Sequence, residues 1–257
     1  AQLFHREAEF LARLRHPNIA AIYESGHTDD GHDYFAMELA TGQTLDEWLR
    51  GRPAPFDDDE LALRLRVFGV VCEAVHYAHQ RGVIHRDLKP SNIMITEDAA
   101  EPLERTSAGR PPTVKILDFG LARVRDTNVE ADPPAGDAGA IRGTIAYMAP
   151  EQARGEVEAF DVRTDVYALG VMLFEMLSGR RPYRTSGLAM VDALRVVCEE
   201  PPQPLREVWT GARRLDADLE AIVATAIEKD PDRRPVSVAA LGDDVGRFLR
   251  AEPIDAR

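Results

Sequence analysis

Residues 165–177 read Asp-Val-Tyr-Ala-Leu-Gly-Val-Met-Leu-Phe-Glu-Met-Leu, and this run limits the fold more than any other part of the chain. It predicts a helix with apolar side chains on nearly every side, which is stable only when other protein surrounds it. It is too short to cross a bilayer, and Glu175 interrupts it. The neighbours must therefore come from the chain itself. At 257 residues, 44% of them hydrophobic, the chain can supply a core of that size as one large domain or two small lobes.

The expected neighbours are helices over 60–80, 219–228 and 236–250. The first follows the acidic run Asp57-Asp58-Asp59, a favourable charge for a helix N-terminus, and Gly82 stops it. The beginning of the chain reads differently. Spacings of three and four among Phe4, Ala8 and Leu11 predict a helix over 4–14, ended by His16-Pro17-Asn18. Short strands are expected over 19–23 and 34–39, then a linker at 41–43 and a helix over 45–50. A strand pair is expected over 93–95 and 114–117, with 97–112 between them read as a disordered insertion. Residues 126–140 form a second stretch of low hydrophobicity. The predicted class is α+β.

Charge and cysteine content narrow the function. Asp and Glu outnumber Lys and Arg by 44 to 31, a formal charge of −13, which argues against a nucleic-acid partner. Cys72 and Cys198 cannot make a disulfide framework or a zinc cage and fit a reducing compartment. No signal peptide is expected at the start of the chain.

Chemistry concentrates in three motifs. His85-Arg86-Asp87-Leu88-Lys89-Pro90-Ser91-Asn92 comes first, Asp118-Phe119-Gly120 follows at the end of a β-rich run, and Met148-Ala149-Pro150-Glu151 comes third. Each alone is weak; the three in this order are specific. Together they resemble the protein-kinase signature set, and the resemblance runs from the helix at residue 4 to Arg234-Pro235. The segment 141–152 is similar to that of the bacterial, eukaryote-like serine/threonine kinases. Lys89, two residues after Asp87, points to serine or threonine as acceptor.

The resemblance implies a protein-kinase-like fold. It has a partial β-rich N-lobe from helix C onward (1–40), a mainly helical C-lobe (41–250) and the start of a C-terminal linker (251–257). It implies ATP and Mg²⁺ as cofactors and protein substrates as partners, and it allows a homodimer for trans-autophosphorylation. The domain is expected in the cytoplasm, with a membrane anchor elsewhere in the full-length protein left open. Phosphoryl transfer needs an oriented hydroxyl, neutralised phosphates and bound Mg²⁺. Asp87 would orient the hydroxyl and Lys89 reach the transferring group. Asn92 and Asp118 are hard oxygen donors suited to Mg²⁺. Met37 matches the gatekeeper, although it suits ordinary core equally, and Glu38, Leu39 and Ala40 match the hinge whose backbone binds adenine. Glu7 matches the helix-C glutamate, with Glu9 as a near neighbour. Thr144, Glu151, Asp165 and Arg234 match supporting residues, and His85 matches a structural histidine packed near Phe119. Arg86 matches the receptor for negative charge on the activation segment. Between 121 and 142 the only hydroxyl is Thr127, so the carboxylates Asp132 or Asp137 are expected to serve Arg86, with a phosphate on Thr127 second.

The sequence departs from the family at its front. None of its 18 glycines has another two positions on, so there is no Gly-x-Gly-x-x-Gly, and no lysine precedes Lys89. The expectation is an active kinase whose first strands this chain lacks. The alternatives are a non-catalytic kinase-like binding module and a small-molecule phosphotransferase of the aminoglycoside type. The latter shares an aspartate loop but lacks the Asp-Phe-Gly and Ala-Pro-Glu pair.

Overall fold

The computed structural model describes residues 14–28, 30, 33–96, 112–119 and 144–256. Most of the expected helix over 4–14, most of the insertion at 97–112, and Glu7, Gly120 and Thr127 lie outside these residues, as do Asp132 and Asp137. Among the described residues the elements are β1 (Ile22–His27), β2 (Asp33–Met37), β3 (Gln43–Thr44), α1 (Leu45–Arg50) and α2 (Asp58–His79). They continue with β4 (Ile93–Thr96), β5 (Thr113–Ile116), α3 (Pro150–Ala153), α4 (Val162–Ser178) and α5 (Met190–Glu199). The last are α6 (Leu205–Val208), α7 (Ala217–Ala226) and α8 (Val238–Leu249). Small sheets with many helices make an α+β fold.

The run that dominates the sequence is α4. Tyr167, Leu169, Met172, Leu173 and Phe174 are wholly buried. α2, α7 and α8 pack against it, which is how the chain surrounds a helix with no polar face. Asp161 caps its start, accepting from the Arg163 amide at 2.6 Å. Gly179 ends it in the left-handed conformation (φ 67°), which glycine adopts without strain. No helix among the described residues is long and apolar enough to cross a membrane.

Boundaries moved where caps decide them. α2 starts at Asp58 rather than residue 60, because Asp57 accepts from the Glu60 amide at 2.9 Å. α8 starts at Val238 rather than 236, because Ser237 accepts from the Ala240 amide and leaves Val236 in solvent. α7 spans Ala217–Ala226 rather than 219–228, its start set by Asp216. The first strand begins at Ile22 and reaches His27; Ile19 instead makes an isolated parallel bridge to Ile116. The linker at 41–43 is partly strand: Gln43 and Thr44 pair with Ile95 and Met94, so β3-β4-β5 form one antiparallel sheet. β1 and β2 form a separate antiparallel pair, with Ser25 opposite Phe35.

A buried cation joins the helices. Arg64 on α2 is 4% exposed. Its Nε donates to Glu60 at 2.8 Å and its Nη1 to the Met176 carbonyl near the end of α4 at 2.6 Å. The guanidinium lies 4.4 Å from the Phe56 ring centroid. Pairing and hydrogen bonding make its burial tolerable.

Gly170 sets how closely α4 approaches α7. A Cβ there would come within 2.7 Å of the Ala226 Cβ and 3.0 Å of the Ala226 backbone carbon. Helix propensity favours alanine by about 1 kcal/mol, but overpacking against backbone that cannot rotate away costs up to about 3 kcal/mol. Gly170→Ala should therefore lower stability by about 1–2 kcal/mol in urea titration.

Candidate active site

The site is built around the carboxylate of Asp165, 1% exposed in the first turn of α4. Its Oδ2 accepts from the His85 amide at 2.8 Å and its Oδ1 from the Arg86 amide at 2.9 Å. The His79 ring nitrogen Nε2 lies 2.7 Å from the same Oδ2. Burial alone would raise the Asp165 pKa, but His79, His85 and these amides hold it below the usual carboxylate value. Arg86 adopts φ 68°, a left-handed conformation that is strained for a residue with a side chain, and the Asp165 bonds hold it there.

His85 is fully buried, 4.6 Å centroid to centroid from Phe119. Its Nε2 is 2.9 Å from the Leu117 carbonyl, an acceptor only, so Nε2 carries the proton. Its Nδ1 accepts from the Asp87 amide at 3.3 Å. Both nitrogens are thus committed in the neutral form, and burial holds the ring below the ordinary imidazole pKa. A histidine so occupied orients the loop and is not available as a base.

Beyond that turn the loop presents a compact polar group. Lys89 Nζ donates to Asp87 Oδ2 at 2.9 Å, to Asp87 Oδ1 at 3.1 Å and to Thr144 Oγ1 at 2.9 Å. Asn92 Nδ2 donates to the Asp87 carbonyl at 2.8 Å and to its Oδ2 at 3.3 Å. Asp87 and Lys89 are about one-fifth exposed, so the pair is fixed yet open to solvent. Pro90–Asn92 form one 3₁₀ turn that returns the chain into β4. Asp118 follows β5 at φ 56°, half-buried, with no hydrogen-bond partner for its carboxylate among the described residues. No group of three or more His, Cys, Asp or Glu able to hold a metal occurs among the described residues.

Met37 is half-buried and shares a small cleft with Ile22, Asp118 and Phe119. The Glu38 amide donates to the Ala21 carbonyl at 2.7 Å, and its carboxylate accepts from the Ala21 amide. Lys115 on β5 lies 2.5 Å from Glu38 Oε1, and this bond holds Glu38 below the usual carboxylate pKa. Leu39 is 86% exposed and Ala40 half-buried.

Glu151 and Arg234 form a bidentate pair, with both N–O distances 2.8 Å and side chains 2% and 0% exposed. Thr164 Oγ1 also donates to Glu151. Gln152, next to it, donates to the Arg86 carbonyl at 2.9 Å and so ties α3 to the loop. The Arg86 guanidinium lies 5.5 Å from the Phe160 ring centroid. Three contributors went unread in the sequence. His79 is one isolated histidine on a helix, Arg64 one of many arginines, and Lys115 a strand lysine; no local pattern marks their partners, which are distant in the chain.

A family model described as a protein kinase domain matches residues 2–244. The chain belongs to the protein kinase family. It is 38% identical over 237 residues to the serine/threonine-protein kinase pkn3 of Myxococcus xanthus, covering 92% of this chain and 40% of that protein. It is 36% identical over 261 residues to the serine/threonine-protein kinase PknB of Mycolicibacterium smegmatis, covering 98% of this chain and 37% of that protein. The chain thus spans about two-fifths of the length of these curated relatives.

The Glu151–Arg234 pair generates a pH prediction. Burial alone would raise the Glu151 pKa, but Arg234 holds it below the 4.5 of a free glutamate. A carboxyl whose folded pKa is depressed contributes stability above its unfolded pKa and loses it as pH falls through the folded value. Glu151→Gln should lower neutral-pH stability by about 3–5 kcal/mol, since Arg234 is left buried without a counter-charge. It should also flatten the loss of stability below pH 4.5, read by denaturant titration from pH 7 to pH 3.

Proposed function

We propose that this chain is the serine/threonine kinase segment of its protein and transfers the γ-phosphoryl of ATP to serine or threonine hydroxyls of protein substrates. The observation that carries the reading is the solvent-open group formed by Asp87, Lys89, Thr144 and Asn92. Asp87, held on one side by Lys89 and on the other by Asn92, accepts and orients the substrate hydroxyl. Lys89 stabilises charge on the transferring oxygens.

The residues present suit ATP and Mg²⁺. Among the described residues the Asp118 carboxylate has no partner and Asn92 hydrogen-bonds through its amide nitrogen alone, so its Oδ1 can accept a cation. One carboxylate and one amide oxygen suit Mg²⁺, which retains waters and takes further oxygens from phosphates. Bound there, the ion would neutralise phosphate charge. The Glu38 carbonyl and the Ala40 amide have no hydrogen-bond partner among the described residues and suit the edge of adenine. Residues 1–40 would form the partial N-lobe, 41–250 the C-lobe and 251–257 the start of a linker. Glu7 would pair with an ATP-anchoring lysine. Phe119, Gly120, Thr144, Glu151, Asp165 and Arg234 would shape and support the activation segment, and Arg86 would take its negative charge from Asp132 or Asp137, with a phosphate on Thr127 second. The domain would act in the cytoplasm, and a homodimer would serve trans-autophosphorylation.

A non-catalytic kinase-like binding module is the second reading. The presence of Asp87, Lys89, Asn92 and Asp118 together favours the first reading over it. Calorimetry separates the two parts of the proposal. The 257-residue chain alone should bind Mg-ATP weakly, and micromolar affinity would contradict that expectation. In the natural protein containing it, Asp87→Asn should cut phosphorylation by roughly 10²–10⁴, and Asp118→Asn, which removes the charge that holds Mg²⁺, should abolish it. Phosphoamino-acid analysis should find phosphoserine or phosphothreonine; dominant phosphotyrosine, or unchanged activity in Asp87→Asn, would sink the reading.

A further inference from the structure

A second charged cluster lies one turn from Thr144. The Tyr147 amide donates to the Thr144 carbonyl at 3.1 Å, so the two residues open and close a single turn. Tyr147 is 6% exposed, and its hydroxyl donates to Glu175 Oε2 in the last turn of α4. Arg181, just past Gly179, turns back to the same carboxylate. Its Nε is 3.4 Å from Glu175 Oε1 and its guanidinium 5.2 Å from the Tyr147 ring centroid. Both oxygens of Glu175 are therefore in use, one by a hydroxyl and one by a guanidinium.

The consequence is a matter of sign. A lone carboxylate beside the acceptor site would draw basic peptides. Here Glu175 is 19% exposed and already engaged, whereas Arg181 is 36% exposed and has further N–H donors than the one Glu175 takes. Arg180 and Arg184, close to it in sequence, are both exposed, and neither has an ion-pair partner among the described residues. One turn from Thr144 the surface thus presents Arg181 over a neutralised glutamate, in a chain whose formal charge is −13. A guanidinium fork matches a carboxylate in plane and charge.

We infer that Arg181 makes this site select serine or threonine acceptors flanked by acidic side chains, with Arg180 and Arg184 adding to the attraction. The inference rests on the kinase reading and deepens it. Arg181 is a specificity-determining residue: it touches the flanking residues of the substrate and not the reacting atoms.

The test is peptide binding without ATP, so that phosphorylation plays no part in it. Fluorescein-labelled peptides with a central serine, flanked on both sides by Asp in one and by Lys in the other, are titrated with the 257-residue chain at low salt and read by polarisation. The Asp peptide should bind about fivefold tighter, as expected for about 1 kcal/mol of exposed charge pairing, and the gap should narrow as salt is raised. Arg181→Lys should keep the order, Arg181→Gln should narrow the gap, and Arg181→Glu should invert it. Thermal melts identify any variant that fails to fold, and Arg181→Gln carries the test if Arg181→Glu does not fold. Equal affinities, a preference for Lys, binding by neither peptide, or a folded Arg181→Gln with an unchanged gap would each overturn the proposal. Such a failure leaves the Asp87→Asn result untouched. A failed Asp87→Asn test with the acidic preference intact would remove the chemistry and keep the acid-selecting surface.

Discussion

One buried carboxylate organises this protein. Asp165 sits in α4, a helix buried on nearly every side, and hands both oxygens to the backbone of the loop that carries Asp87. A charge at 1% exposure is expensive unless every lone pair has a donor. His79, His85 and Arg86 supply those donors. The exchange works in both directions: the loop stabilises the charge, and the charge holds Arg86 in a left-handed conformation it would not otherwise favour. From that turn the chain emerges with Asp87, Lys89 and Asn92 pointing into one polar group, next to Phe119 through His85.

The other buried charges follow the same logic at the margins of the helical core. Glu151–Arg234 ties α3 to the segment before α8, and Arg64 ties α2 to the end of α4. Such pairs contribute little net stability against apolar replacements, but either partner left alone is costly. They therefore act as register pins: α3 cannot slide without stranding Arg234. Because Gln152 on α3 also binds the Arg86 carbonyl, the position of α3 is transmitted to the loop. Lys115 plays a milder version of this role by bridging β5 to Glu38.

Much of the fold was legible because periodicity is a local property. α1 and α4, the strand pair β4–β5 and the existence of α2, α7 and α8 all follow from apolar spacing and breakers. The errors lie where a cap or a distant partner decides. Asp57 and Ser237 placed helix starts, and β3 is a strand only because Met94 and Ile95 lie beside it. The helices α5 and α6 had no separate sequence reading, although Ala193, Val196 and Val197 on α5 are buried at helical spacing. In the site, the motifs named Asp87, Lys89, Asn92 and Asp118, whereas His79, Lys115 and Arg181 became visible only through their partners.

The sequence by itself determined which residue types are available and in what order: an apolar helix that demands neighbours, and three short motifs at characteristic places along the chain. Its −13 charge and its family resemblance were likewise readable without coordinates. Tertiary structure decided how those groups are spent. It alone committed both nitrogens of His85, left Asp118 without a partner among the described residues, and turned Glu175 from a free acid into a ligand of Tyr147 and Arg181. The physical reason is range: periodicity and capping act within a few residues, while the partner of a buried charge is chosen by packing between segments tens of residues apart.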